Sequence, residues 1–217
     1  MRTTDLFDLD HTIASSYLAG FEHPWDAIKG ISDFILETGP KLDPAEYDMV
    51  AENVWVHKTA SVFASASITG PVIIGPNSHV YHCAIVRNGV LIGSDCVVGS
   101  SVEIKNMIMF DNAEICHFNF VGDSIVGYHA HFGAGSVTSN VKSDYSDIVI
   151  HAEREFDTGS WKIGAMVGDL AEIGCNAVLN PGTIIGRRSV VYPCSSVRGV
   201  VPSSSIYKAA GNIVPRR

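Results

Sequence analysis

Aliphatic residues recur along this chain on a six-residue grid: Val56, Val62, Ile68, Ile74, Val80, Val86, Ile92, Val98 and Ile104. After an interruption the grid resumes with Val167, Ile173, Leu179, Ile185, Val191 and Val197, and glycines at 75, 93, 99, 168, 174 and 186 follow one place behind an apolar position. Helices repeat every 3.6 residues and flat strands every 2, so a period of six predicts neither. It predicts a parallel β-helix, a solenoid in which three short strands and their turns make one triangular coil and each grid residue points into a narrow core. Residues eighteen apart are then stacked neighbours, one strand spacing of about 4.8 Å from each other.

The grid also divides the chain. Residues 1–50 lack it; there Pro24, Trp25, Ile28, Ile31, Phe34 and Ile35, ended by Gly39-Pro40, predict one amphipathic helix. Because the end of a solenoid exposes an apolar cross-section, this segment is expected to cover it as an N-terminal helical cap. Residues 51–205 are expected to form the solenoid. A long loop at about 138–161 leaves it, since the grid fails there in a stretch rich in Asp and Ser. Residues 206–217 are expected to be a C-terminal tail. Asp8-Leu9-Asp10-His11-Thr12 imitates a D-x-D-x-T phosphatase motif, but nothing after it supplies the α/β sheet which that chemistry needs.

Composition narrows the function classes. The 217 residues carry a net charge of −8 with a pI near 5.5, which leaves no basic footprint for nucleic acid and no cationic run for a membrane surface. No apolar stretch approaches the roughly 20 residues of a membrane span and no signal segment opens the chain, so a cytoplasmic protein is expected. Cys83, Cys96, Cys116, Cys175 and Cys194 contain no C-x-x-C pair and are expected to be reduced, without a structural zinc site.

Chemistry must come from residues that the coils bring together. Arg87 and Lys105 are eighteen apart and project side by side; two adjacent cations without acids call for an anion, and a phosphate suits a guanidinium fork beside an ammonium. His117 follows, a candidate proton acceptor near neutral pH.

At this point the residues resemble a family. The run His117-Phe118-Asn119-Phe120-Val121-Gly122-Asp123, then Ile125 to Asn140 with Phe132-Gly133-Ala134-Gly135-Ser136, is similar to the acetyltransferase domain of bifunctional N-acetylglucosamine-1-phosphate uridylyltransferases; Thr158 to Gly168 looks more like their archaeal branch. The resemblance covers about residues 68 to 202. It implies an all-β, left-handed parallel β-helix that trimerises and acetylates glucosamine 1-phosphate from acetyl-CoA. It assigns His117 as general base and Glu103 as the acid that orients it. Arg87, Lys105, Phe120, His131 and Asn140 fall at sugar-phosphate-binding positions, and the backbone at Ala134 and Gly135 falls beside the thioester. No metal is implied for the transfer. The expected partners are an amino sugar phosphate, acetyl-CoA and two further copies of the chain, with sites between subunits. The family's tyrosine is Phe120 here, its asparagine is His131, and loop lysines of the archaeal branch are Ser146 and Val149. The roughly fifty residues ahead of the repeats are too few for a nucleotide-binding sheet, so uridylyl transfer is not expected. Two other readings stay open: a non-catalytic sugar-phosphate or sugar-nucleotide binding protein, and a zinc enzyme of the γ-carbonic-anhydrase type using His82, His129 and His131.

Overall fold

The structure is a computed structural model that describes residues 1–216. It is a left-handed parallel β-helix with short helices confined to the N-terminal segment. Three faces follow from strand register. The first stacks Ile68, Val86, Ile104, Val121, Thr138, Leu179 and Val197 as its inward column. The second stacks Val72, Val90, Met107 and Ser124 inward, and Ile74, Ile92, Met109, Val126, Val167 and Ile185 beside them. The third stacks Val62, Val80, Val98, Ile115, Phe132, Ile173, Val191 and Tyr207. These columns form one cluster in the solenoid interior, and each fully buried aliphatic side chain stabilises it by about 1.5–3 kcal/mol.

The six-residue count slips where the sequence grid ends. The corner from first to second face holds Asn88-Gly89 in one coil but only Asn106 in the next and Asp123 in the one after, each in the left-handed region. Register therefore moves from eighteen residues, Arg87 on Lys105, to seventeen, Val90 on Met107 and Ile104 on Val121. Asparagine and aspartate suit such corners because their short polar side chains tolerate positive φ.

The two ends of the solenoid are closed by antiparallel strands. Tyr47–Ala51 pairs antiparallel with Val54–His57, and Asn212–Pro215 pairs antiparallel with Ser205–Ala209. An outward edge of a parallel stack is a row of unpaired backbone groups, and a hairpin satisfies it locally. Residues 206–216 are thus a terminal hairpin where the sequence predicted a tail. The N-terminal segment does not cap the end as expected: it runs along the second face. Leu6, Phe7, Leu18, Trp25, Ile28, Ile31 and Ile35 pack on the outward residues Ile73, Leu91, Ile108, Ile125, Met166 and Ile184, all buried. Nor is it one helix. Pro24–Gly30 is a 3-10 helix that continues as an α-helix over Ile31–Thr38, preceded by short turns of helix at Thr3–Leu6, Leu9–His11 and Ser15–Leu18. The phosphatase-like Asp8 caps the second of these, accepting from the Asp10 amide at 3.2 Å, and its own amide donates to buried Asp169 at 2.7 Å.

The interruption after Thr138 folds back onto the same molecule. It contains the antiparallel pair Val149–His151 and Glu155–Asp157. Phe156 meets Trp25 and His23 edge-on, Lys29 Nζ donates to the carbonyls of Thr158 and Gly159 at 3.3 and 3.2 Å, and Glu153 takes the N-terminal ammonium. Where the loop leaves and rejoins the coil, a buried polar knot satisfies the freed backbone. Ser124 Oγ donates to the Gly122 carbonyl at 2.7 Å and accepts from the Ala165 amide at 3.0 Å, and Thr138 Oγ1 accepts from the Gly122 amide at 3.0 Å. Gly164 passes so close that a Cβ would stand 2.1 Å from the Gly122 carbonyl oxygen.

Candidate functional site

Strand alternation sets the outward columns of the first face. One carries Ser67, Ile85, Glu103, Phe120 and Val137; its neighbour carries Thr69, Arg87, Lys105 and Gly122. Arg87, Glu103, Lys105 and Phe120 are therefore brought together. Gly122 leaves the space that the others use: a Cβ there would meet the Phe120 ring at 2.9 Å and the Lys105 stem at 3.1 Å.

Neither cation is free of acids. Arg87 donates to Glu103 Oε1 through Nε at 3.0 Å and Nη2 at 2.6 Å. Lys105 Nζ is 3.1 Å from Asp123 Oδ2, with only 13% and 6% of the two side chains exposed. The expectation of two unpaired cations is thereby corrected. Each cation takes its counter-ion from the next coil, Arg87 from Glu103 and Lys105 from the corner residue Asp123, and a half-buried charge without a partner would be costly. Glu103, expected to orient His117, is bonded to Arg87 instead.

Asp123, which carries no mark in the six-residue grid, joins the two cationic coils. Besides Lys105 its carboxylate accepts from Asn106 Nδ2 at 2.8 Å and from Asn140 Nδ2. Asn106, Asp123 and Asn140 stand seventeen apart, so a seventeen-residue count would have found this stack where the eighteen-residue count did not. Asn140 thus joins the first-face group through Asp123.

His117 lies at the corner leading from the third face into the first, exposed, in the turn between Glu114–Ile115 and Phe120–Val126. Its amide donates to Asn119 Oδ1 at 2.8 Å. The buried Asn119 in turn donates through Nδ2 to the Gly133 carbonyl at 2.8 Å and to Ser136 Oγ at 2.9 Å. The Gly135 amide donates to the His117 carbonyl at 2.9 Å, so Ala134 and Gly135 form the corresponding corner of the adjacent coil. Gly135 has φ +72° and a Cβ there would stand 2.2 Å from Asn176 Oδ1, which keeps this corner bare. Phe118, beside His117, takes φ +55° while 70% exposed, a rare backbone region for a bulky residue.

His131 is on the third face, away from the other sugar-assigned residues. Its Nε2 is 3.2 Å from Cys116 Sγ and its Nδ1 3.0 Å from Glu172 Oε2. Burial first, then the Glu114 carboxylate, raises the Cys116 thiol above its ordinary range. Cys96 is a core residue whose burial pushes it up to about 12. The five cysteines are free thiols. His82 sits at the third-to-first corner beside Ser65, while His129, at the second-to-third corner, lines one cleft with Glu114, His131 and Glu172; among the described residues neither joins the one group of potential metal donors, Glu114, Cys116 and His131. A cleft of about 500 Å³ opens between His129, Leu170, Glu172, Arg188, Ser204 and Arg216, apart from the first-face cluster. No helix among the described residues is long and apolar enough to cross a membrane.

Comparison with known proteins extends this picture. The sequence model of a family described as the GMPPB C-terminal domain matches residues 68–154. The bifunctional protein GlmU of Methanococcus maripaludis is 29% identical over 208 residues, 90% of this chain and 48% of that protein. The bifunctional sugar-1-phosphate nucleotidylyltransferase/acetyltransferase of Sulfurisphaera tokodaii is 28% identical over 62% of this chain and 32% of its own. Among solved structures, the acetyltransferase domain of PglB from Neisseria gonorrhoeae, in complex with acetyl coenzyme A, aligns with a TM-score of 0.39 at 17% identity, covering 75% of this chain and 57% of that one. The chain spans about half the length of the first of these curated relatives. It is a hexapeptide-repeat β-helix protein that resembles the C-terminal region of a bifunctional GlmU protein along nine-tenths of its length, and that of a bifunctional sugar-1-phosphate nucleotidylyltransferase/acetyltransferase along about three-fifths.

Proposed function

We propose that this chain transfers an acetyl group from acetyl-CoA to the amine of an amino sugar 1-phosphate, with glucosamine 1-phosphate as the first candidate. The observation that carries the reading is the first-face register: Arg87 and Lys105 stack one coil apart, and the exposed His117 stands at the corner that leads into the strand beside them. A sugar phosphate fits across Arg87 and Lys105, whose guanidinium and ammonium exchange part of their contact with Glu103 and Asp123 for phosphate oxygens. His117 then takes the proton from the amine as its nitrogen attacks the thioester carbonyl; the C–N bond forms, the C–S bond breaks, and the imidazolium returns that proton to the departing sulfur so that CoA leaves as a thiol. The Gly135 amide is held by the His117 carbonyl, so in this scheme the Ala134 amide at the bare corner is the donor for the thioester oxygen. Since Glu103 is held by Arg87, it acts in this scheme by fixing the cation that reads the phosphate. The flat faces of the triangular prism suit a trimer about a threefold axis, which would complete the site from a neighbouring copy.

A second reading, a non-catalytic sugar-phosphate or sugar-nucleotide binding protein, is favoured by Phe120, whose ring has no hydroxyl to give a substrate. One assay separates them. Incubated with acetyl-CoA and a panel of amino sugar 1-phosphates, the protein is expected to release CoA only when a sugar is present, and His117→Ala to lower that rate by about 10²- to 10⁴-fold. Sugar-phosphate binding without any CoA release would establish the binding protein instead.

A further inference from the structure

On the third face, strands of three successive coils place Glu114, His131 and Glu172 in register, and the chain turns after Glu114 so that Cys116 joins them. One donor atom each from Glu114, Cys116 and His131 lie within 4.8 Å of one another. A thiol, an imidazole nitrogen and a carboxylate oxygen all offer lone pairs into the same small volume. The geometry matches a tetrahedral zinc ion: Zn–S of about 2.3 Å and Zn–N of about 2.0–2.1 Å place the two donors about 3.5 Å apart, and Cys116 Sγ and His131 Nε2 are 3.2 Å apart. The outer contact fits as well. Metal-binding imidazoles give their second ring nitrogen to a carboxylate that fixes tautomer and ring orientation, and His131 Nδ1 is 3.0 Å from Glu172 Oε2.

We propose that Glu114, Cys116 and His131 bind a divalent zinc ion, with Glu172 as the positioning residue behind His131. The thiol proton is released to solvent as the Cys116–Zn bond forms, so neither oxidant nor reductant is needed, and water fills the fourth position. Bound there, the ion ties two adjacent coils together immediately before the His117 corner, and Glu172 of the third coil reaches it only through His131. The site is separate from the acetyl transfer proposed above, and its test does not depend on it.

The full chain, stripped with a chelator, is titrated with Co²⁺ as a spectroscopic stand-in for Zn²⁺. A sulfur-to-cobalt charge-transfer band in the near ultraviolet is expected to saturate at one equivalent per chain. The band is expected to vanish in Cys116→Ser and to persist in Cys83→Ser. His131→Ala is expected to abolish tight binding, and Glu172→Gln to weaken it about 10- to 100-fold. A band that survives Cys116→Ser, or no band at millimolar Co²⁺ with the wild-type chain folded by circular dichroism, overturns the proposal. Should Cys116 then prove more reactive toward iodoacetamide than Cys83 and Cys194, the cluster is a thiol nucleophile with His131 as its base.

Discussion

The first and second faces of the solenoid are cut from the same strands, and their outward columns do opposite work. Along Ile85–Ile92 and Glu103–Met109, the first half of each strand presents Arg87, Glu103 and Lys105, and the second half presents Leu91 and Ile108. Hydrogen bonding and inward packing are alike on both sides of the corner. What differs is what lies outside. The second face is dry because the N-terminal segment and the 138–161 loop cover it, whereas on the first face Ile85 is 41% exposed and the Arg87–Glu103 pair reaches solvent. One face is held by burial and the other stays open to solvent.

The sharpest way to break this contrast is to shorten matched outward residues. Ile108→Ala is expected to cost about 2–5 kcal/mol, because it removes a buried side chain and leaves a cavity under the N-terminal segment; Ile85→Ala is expected to cost under about 0.5 kcal/mol. Urea midpoints of the two variants measure both, and equal losses would show that the faces do not differ as described.

Within the first face the two ion pairs are expected to separate by depth. Asp123→Ala strands the nearly buried Lys105 and two asparagine amides, a loss of about 3 kcal/mol. Removing the more exposed Glu103 partner of Arg87 costs less than about 1 kcal/mol in stability and shows itself in substrate affinity, as a raised KM for the sugar phosphate. Thermal unfolding read beside kinetics distinguishes these outcomes.

On the covered side, burial raises the Tyr17 hydroxyl from 10.0 to about 12, with Asp33 adding to it. The folded state thus holds its proton more tightly than the unfolded chain does. The associated stability is complete below pH 10 and is lost as pH rises through 12. Tyr17 Oη donates to the Ala27 carbonyl, so Tyr17→Phe is expected to lower stability at pH 7 by about 1 kcal/mol while flattening the decline above pH 10. A decline of unchanged steepness would place its origin in another group. An effect of the opposite sign is expected at the His117 corner: Phe118→Asn relieves the left-handed strain of an exposed ring and is expected to raise stability by up to about 1 kcal/mol in thermal unfolding, at no gain to acetyl transfer.

Much of this was legible in the residues. The grid from Val56 to Ile104 and from Val167 to Val197 reports inward positions, and an eighteen-residue coil puts Arg87 on Lys105, as the strand register does. The seventeen-residue coils were not legible, because a single-residue corner at Asn106 or Asp123 changes the count without changing the composition. Asp123 was missed with them. The counter-ions of Arg87 and Lys105 were missed for another reason: which acid a long side chain reaches depends on outward columns from two coils at once.

The sequence by itself determined the period, hence the solenoid, its core and the face on which the cations stand, since inward pointing follows from strand alternation and needs no partner. Tertiary structure alone decided where the first fifty residues lie. Their apolar stripe is compatible with any apolar surface, and the hairpins at Tyr47–Ala51 and Asn212–Pro215 had already closed the ends, which left the second face as the large apolar surface to cover. It likewise decided that Cys116, His131 and Glu172 meet. His131 and Glu172 are 41 positions apart, the chain between them includes a loop of no fixed period, and only the folded coil brings its two ends back into register.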